Sequence, residues 1–116
     1  MAPKHNPLNL NPLQLKTLTL LQALARIPEN SRPEGGEGDL LVGSTPAPHG
    51  DHFHLGGAVV MTKDATGLQN RAVWVALERK GLIKATHFPQ AVIMTKAGLA
   101  YDTSQMASIL HGAAGH

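Results

Sequence analysis

Histidine and acidic residues crowd together in one short segment, HGDHFH, which runs from His49 to His54. If this segment is a β-strand, His52 and His54 share a face, because side chains on a strand alternate with period two. Neutral imidazoles beside a carboxylate such as Asp51 suit Zn, Ni or Fe. The alternative is a solvated loop that is merely rich in histidine. Under the metal hypothesis the cofactor is Zn or Ni, and the ligands are His49, His52 and His54, with His5, His111 and His116 as further candidates.

A second polar cluster, Gln69, Asn70 and Arg71, opens the segment TGLQNRAVWVALERKGLI. In the major groove of DNA, Gln and Asn can each form two hydrogen bonds with adenine, and Arg can do the same with guanine. Each such pair contributes about 1–3 kcal/mol of discrimination between bases. The alternative is that Gln69 only caps a helix, while Asn70 and Arg71 are ordinary surface residues.

Catalytic patterns are scarce in this sequence. It contains no cysteine, which excludes disulfides, thiolate zinc sites and thiol nucleophiles. The HExxH, GxSxG, P-loop and GxGxxG patterns are also absent. Carboxylates are few, and most of them fall in one stretch rich in proline and glycine. We therefore expect a protein that is not an enzyme.

The size and composition of the chain indicate one domain with an aliphatic core. Its 116 residues are 42% hydrophobic and only 3% aromatic. The first residues, MAPKHNPLNLNP, lack the apolar centre of a signal peptide. No apolar run approaches the roughly 20 residues that a membrane span requires. We therefore expect a cytoplasmic protein without a membrane partner.

The charges are distributed unevenly, although the formal net charge is only +2. Acids prevail between residues 28 and 51, where Glu29, Glu34, Glu37, Asp39 and Asp51 stand against Arg32. Bases prevail between residues 62 and 101, where Lys63, Arg71, Arg79, Lys80, Lys84 and Lys96 stand against Asp64 and Glu78. This asymmetry points to an anionic partner, and a solvated surface without a partner is the alternative.

The first part of the chain predicts a long helix followed by a loop. Asn11 is a favourable N-cap, Pro12 suits the first helical position, and leucines then recur at helical spacing. Gln22 falls on the polar side of this helix. Residues 1–27 thus belong to the core or to a dimer interface. Residues 28–51 form a Pro/Gly-rich acidic loop in which DLLV is a candidate short strand.

A second helix is predicted over residues 67–80. Thr66 and Gln69 fit a capping box at its start. Trp74 is expected in the core, and Gly81 suits the left-handed position that ends a helix. The stretch before it, GAVVMTKDA at residues 57–65, fits either a strand or a short helix, because periodicity does not decide such short apolar runs.

The last part of the chain predicts a hairpin and further helix. Two β-branched runs around THFPQ indicate a hairpin over residues 82–95. TKAGLAYD restarts a helix at Thr95, and SQMASILHG predicts a final short helix from Ser104 to His111.

Residues 66–83 and the hairpin resemble the winged helix-turn-helix family of DNA-binding proteins. The resemblance is carried by the Thr66 cap, by Val73 and Leu77 one turn apart, by RKGLI and by VIMTKAGLAY, and it covers roughly Leu55 to Asp102. It implies an α+β winged helix-turn-helix fold with an N-terminal helix, a two- or three-stranded antiparallel wing and a C-terminal helix. The winged-helix core is then residues 52–103, and residues 104–116 are the C-terminal helix and tail.

In this family the second helix of the motif lies in the major groove, and the wing contacts the adjacent DNA backbone. The resemblance therefore implies a transcriptional regulator that binds double-stranded DNA, with recognition helix 67–80 in the groove and wing 82–95 on the backbone. Few charges per chain and leucine-rich terminal helices predict a homodimer. The DNA-binding residues so implied are Thr66, Gln69, Asn70, Arg71, Arg79, Lys80, Lys84, His87 and Lys96.

Two other functions remain open. This chain departs from the family in two respects. Residues 57–65 stand where the family has a regular helix before the recognition helix. The long acidic loop after the first helix of this chain is the second departure. A winged helix that binds another protein and no DNA is therefore one alternative. A metal-responsive protein that uses His49, His52 and His54 is the other.

Overall fold

The computed structural model describes residues 6–35, 38–43, 45, 50–55 and 57–112, and it confirms a mixed α+β class with antiparallel sheets. The helices are α1 (Pro12–Ala25), α2 (Arg71–Arg79), α3 (Lys96–Ala100) and α4 (Met106–Ile109). The strands are β1 (Ser31–Pro33), β2 (Leu40–Val42), β3 (His52–Leu55), β4 (Ala58–Met61), β5 (Ile83–His87), β6 (Ala91–Met94) and β7 (His111–Gly112). Short 3-10 helices occupy Pro28–Asn30, Thr62–Asp64 and Thr66–Gln69.

Helix α1 lies in the middle of the core. It begins as expected, because the Asn11 side chain accepts a hydrogen bond from the Gln14 N–H and Gln14 reciprocates. Every residue from Thr17 to Ala25 is buried. The expectation that Gln22 faces solvent is wrong, because its amide donates to the carbonyl oxygens of Gly98 and Tyr101.

The burial of α1 bears on the predicted dimer. Its leucines at positions 18, 20, 21 and 24 are all buried within the single chain. The apolar stripe that suggested a dimer interface is therefore buried in the protein's own core. A dimer must use another surface.

The larger sheet has four antiparallel strands in the order β1-β2-β6-β5. The predicted hairpin is β5–β6, and the suggested strand in DLLV is β2. Strand β2 pairs with β6 through Leu40↔Met94 and Val42↔Val92. Describing residues 28–51 as a loop is wrong in this part, because Leu40 and Val42 complete the apolar layer of the sheet. The sheet that holds the hairpin is therefore wider than the two or three strands expected of a wing.

The smaller sheet has three antiparallel strands in the order β3-β4-β7. It resolves the ambiguous residues 57–65 as strand β4 followed by the 3-10 helix Thr62–Asp64. The β-branched Val59 and Val60 pair with His54 and Phe53, which stabilises a strand here. The predicted helix from Ser104 to His111 is too long, because His111 leaves α4 to pair with Val59.

Helix α2 starts later than predicted. Thr66 makes no side-chain cap, and Thr66–Gln69 forms a separate 3-10 helix. Asn70 is the true N-cap, and its Oδ1 accepts from the Ala72 N–H at 3.0 Å. The helix is therefore Arg71–Arg79 rather than 67–80. Its end agrees with the prediction, because Gly81 has φ +79° and the Leu82 N–H donates to Leu77 O.

Trp74 and the glycine ahead of it fix how α2 sits on the core. Trp74 is fully buried, as predicted, and its Nε1–H donates to Gly67 O at 3.2 Å. Gly67 in turn lies directly against Thr17 of α1.

Within the described part of the chain, no helix is long and apolar enough to cross a membrane.

Candidate nucleic-acid interface

The loop of the β5–β6 hairpin is attached to the start of α2 by an aromatic contact. Phe88 meets the buried Trp74 ring edge-on, with 4.8 Å between ring centroids. The Phe88–Pro89 peptide bond is cis. An edge-to-face pair of this kind adds about 0.5–1.5 kcal/mol beyond the area that it buries. The hairpin loop therefore has a fixed position relative to α2.

Arg71 lies over the ring of Phe88. Its Cζ is 4.7 Å from the centroid of the Phe88 ring, which is a cation–π distance. Arg71 is the first residue of α2 and is exposed, whereas Phe88 is half-buried. The ring therefore orients the guanidinium without hiding it from a ligand. The helix start and the hairpin loop form one continuous surface with exposed Gln69, Asn70, Arg71, His87 and Gln90.

The structure changes what three of the predicted DNA-binding residues can do. Asn70 uses its Oδ1 as the helix cap, and bidentate recognition of adenine needs that same oxygen as an acceptor. Gln69 is exposed but precedes α2 in the 3-10 helix. Thr66 is exposed and does not cap α2. Of the polar cluster, only Arg71 belongs to α2 itself.

Arg79 and the three lysines among the predicted DNA-binding residues fall into two groups. Lys84 lies 3.5 Å from the Asp39 carboxylate, and Lys80 donates to Leu8 O at 2.8 Å. These two ammonium groups are engaged within the protein. The side chains of Arg79 and Lys96 are exposed and form no ion pair with a described residue.

Asp39 is a residue whose role the sequence did not reveal. Its carboxylate is nearly buried, and its Oδ1 accepts from the Lys96 N–H at 3.0 Å at the start of α3. Its Oδ2 faces Lys84. Because Asp39 belongs to a stretch predicted as acidic loop, no local pattern identified it as the partner of a hairpin lysine.

The predicted metal ligands are only partly brought together. His52 and His54 are both exposed on β3, whereas Phe53 and Leu55 are buried, so the two histidines share a face as expected if the segment is a strand. His49, His5 and His116 lie outside the described residues. Among the residues that the structure describes, no group of three or more histidine, cysteine, aspartate or glutamate residues is arranged to hold a metal ion.

Asp51 is coupled to this histidine pair. The Nδ1 of His52 lies 2.9 Å from Asp51 Oδ1. The hydrogen bond from His52, assisted by a backbone hydrogen bond and the charge of His52, lowers the pKa of the exposed Asp51 carboxyl below its ordinary value. The carboxylate therefore remains ionised and available as an acceptor.

Comparison with known proteins adds no family to these observations. No protein-family model matches the chain, and no curated protein or solved structure matches it significantly. The winged helix-turn-helix resemblance therefore stays a prediction from the sequence.

Proposed function

We propose that the protein binds double-stranded DNA through the start of α2 and the β5–β6 hairpin, as a transcriptional regulator. The observation that carries the proposal is the stack of Arg71 on Phe88, with Phe88 held against Trp74. It fixes an exposed guanidinium where α2 meets the β5–β6 hairpin. An arginine so placed can contact guanine in two hydrogen bonds or a phosphate group.

In this proposal the fold is a winged helix whose motif lacks a regular first helix. Helix α2 runs directly into the β5–β6 hairpin, as the resemblance requires. The 3-10 helices Thr62–Asp64 and Thr66–Gln69 take the place of the helix expected before it. Two chains would bind two half-sites, and dimer contacts would come from a surface other than the buried stripe of α1.

The charge pattern sets how strongly salt should weaken this binding. Arg71, Arg79 and Lys96 are the predicted contacts whose charged groups neither pair with a carboxylate nor donate to a backbone carbonyl within the described residues, unlike Lys84 and Lys80. With about three phosphate contacts, the slope of log K against log salt concentration is about −2.7. Raising monovalent salt from about 50 to about 200 mM then weakens binding about 40-fold.

Fluorescence anisotropy with a mixed-sequence duplex tests the proposal across that salt range. We expect Arg71→Ala to weaken binding about tenfold or more, since it removes both the charge and the oriented guanidinium. Arg32→Ala is the matched control, because Arg32 is exposed on β1, at the opposite edge of the sheet from β5. It should change affinity less than about twofold. Absence of binding at low salt, or an equal loss in both variants, would overturn DNA binding through this surface.

A protein-interaction module is the second candidate, and two observations favour it. The β3–β4 hairpin and 3-10 helices stand where a DNA-binding motif has a helix, and Asp39 neutralises Lys84 on the hairpin. The same exposed loop, from His87 to Gln90, would then contact a protein. A well-folded protein that binds no DNA at low salt is the outcome that favours this candidate.

A further inference from the structure

We propose that His52 and His54 form a two-imidazole binding site for a transition-metal ion on the exposed face of β3. This site does not depend on the proposed DNA binding, and it uses a different sheet. The two histidines belong to β3, whose register is fixed by its buried side chains. Phe53 and Leu55, the alternate residues, are 6% and 5% exposed, so they hold the two histidines outward.

The distance between the two rings matches a pair that shares one metal ion. Their centroids are 5.9 Å apart, and their planes meet at 71°. A metal ion bound to imidazole nitrogen at about 2.1 Å lies about 3.2 Å from the ring centroid. Two such rings are about 5.2 Å apart at a tetrahedral angle and about 6.4 Å apart on opposite sides of the metal. The observed separation lies between these limits, so the two rings are spaced as a shared metal ion requires.

Asp51 prepares His52 for this role. The Nδ1 of His52 lies 2.9 Å from the Asp51 carboxylate and donates to it, so in the neutral imidazole the lone pair of Nε2 is the one free for a metal ion. A carboxylate that holds the second nitrogen of a ligating histidine fixes the ring and makes the imidazole a stronger donor.

The described residues supply two protein ligands and no third one. His111 is exposed on β7, but Val59 of the central strand pairs with both His54 and His111 and so stands between them. Water therefore completes the coordination. An open site of two imidazoles prefers Cu²⁺ over Ni²⁺ and Zn²⁺, following the usual order of divalent metals. It does not select Mg²⁺ or Ca²⁺, which require oxygen ligands.

Isothermal titration of the untagged full chain with Cu²⁺, Ni²⁺, Zn²⁺ and Mg²⁺ tests the site. We expect His52→Ala and His54→Ala each to weaken Cu²⁺ binding at least tenfold, and Asp51→Ala to weaken it about 10–100-fold. His87→Ala and His111→Ala are matched controls, since each removes an exposed imidazole elsewhere. All five side chains are exposed, so these variants should fold normally.

Paramagnetic broadening in ¹H–¹⁵N spectra locates the bound ion independently. At substoichiometric Cu²⁺ we expect signals from residues 51–55 and from the facing β4 strand to vanish first. Broadening confined to the chain termini, where His5 and His116 lie, would overturn the proposal. So would Cu²⁺ affinity that survives in the His52→Ala and His54→Ala variants.

Discussion

Replacing Gly67 by alanine tests how the 3-10 helix before α2 rests on α1. A Cβ at position 67 would lie 1.8 Å from Thr17 Oγ1 and 3.1 Å from Thr17 Cβ. The contact cannot open easily, because both residues are buried and the Thr17 hydroxyl donates to Leu13 O at 2.8 Å. Either Thr17 rotates and loses that hydrogen bond, or the 3-10 helix moves away from α1.

The size of the effect follows from the atoms that collide. Forcing extra volume into a packed core typically costs about 1–3 kcal/mol, and we expect Gly67→Ala to lie at the upper end. Thr17→Ala alone removes a hydroxyl and one methyl group and should cost about 1 kcal/mol. In the double variant the Oγ1 and Cγ2 atoms are gone, and only Thr17 Cβ remains, at 3.1 Å. The double variant should therefore be more stable than Gly67→Ala, with a coupling free energy of about 2 kcal/mol.

Urea unfolding followed by tryptophan fluorescence measures these free energies. Trp74 is the only tryptophan, is fully buried and donates to Gly67 O, so it reports directly on this contact. Gly57→Ala is the control, because a Cβ there has no neighbour within 4 Å. If the losses from Thr17→Ala and Gly67→Ala simply add, the two residues do not touch and this account of the packing is wrong.

Two further predictions concern the carboxylates beside the candidate sites. Asp39→Asn keeps an oxygen to accept from the Lys96 N–H but releases the charge of Lys84. If the protein binds DNA, the salt slope measured by anisotropy should steepen by about 0.9, and an unchanged slope would exclude Lys84 from the interface. The pKa of Asp51, followed by carboxyl NMR, should rise in His52→Ala toward the ordinary value of about 3.9, because the hydrogen bond that lowers it is lost. A pKa of Asp51 that stays the same in both proteins would contradict the hydrogen bond between His52 and Asp51.

The sequence predicted the elements whose signals are local. The start of α1 at Asn11 and Pro12 depends on neighbouring residues only, and so does the turn at Gly81. The shared face of His52 and His54, expected if their segment is a strand, is local in the same sense. Each of these features was predicted correctly, because the residues that decide it are within a few positions of one another.

The errors arose where a distant partner decides the structure. Gln22 is buried because carbonyl oxygens about 76 and 79 residues further along the chain accept its amide hydrogens. Leu40 and Val42 form a strand because β6 pairs with them. Asp39 pairs with Lys84 because the same sheet brings these two distant parts of the chain together. No local pattern contains these contacts.

The shifted start of α2 has the largest consequence for function. The sequence offers two caps, Thr66 with Gln69 and Asn70 alone, and the structure uses Asn70. The reason lies in the core, because Trp74 donates to Gly67 O, and this bond holds Gly67 in a 3-10 helix packed against α1. Gln69 therefore precedes the helix, and the cap holds the Asn70 side chain against the backbone of α2. The sequence predicts base contacts by Gln69, Asn70 and Arg71. If α2 enters a groove, Arg71 is the one of these three that is placed to do so. The proposed DNA binding should then depend mainly on phosphate contacts and discriminate only weakly between sequences.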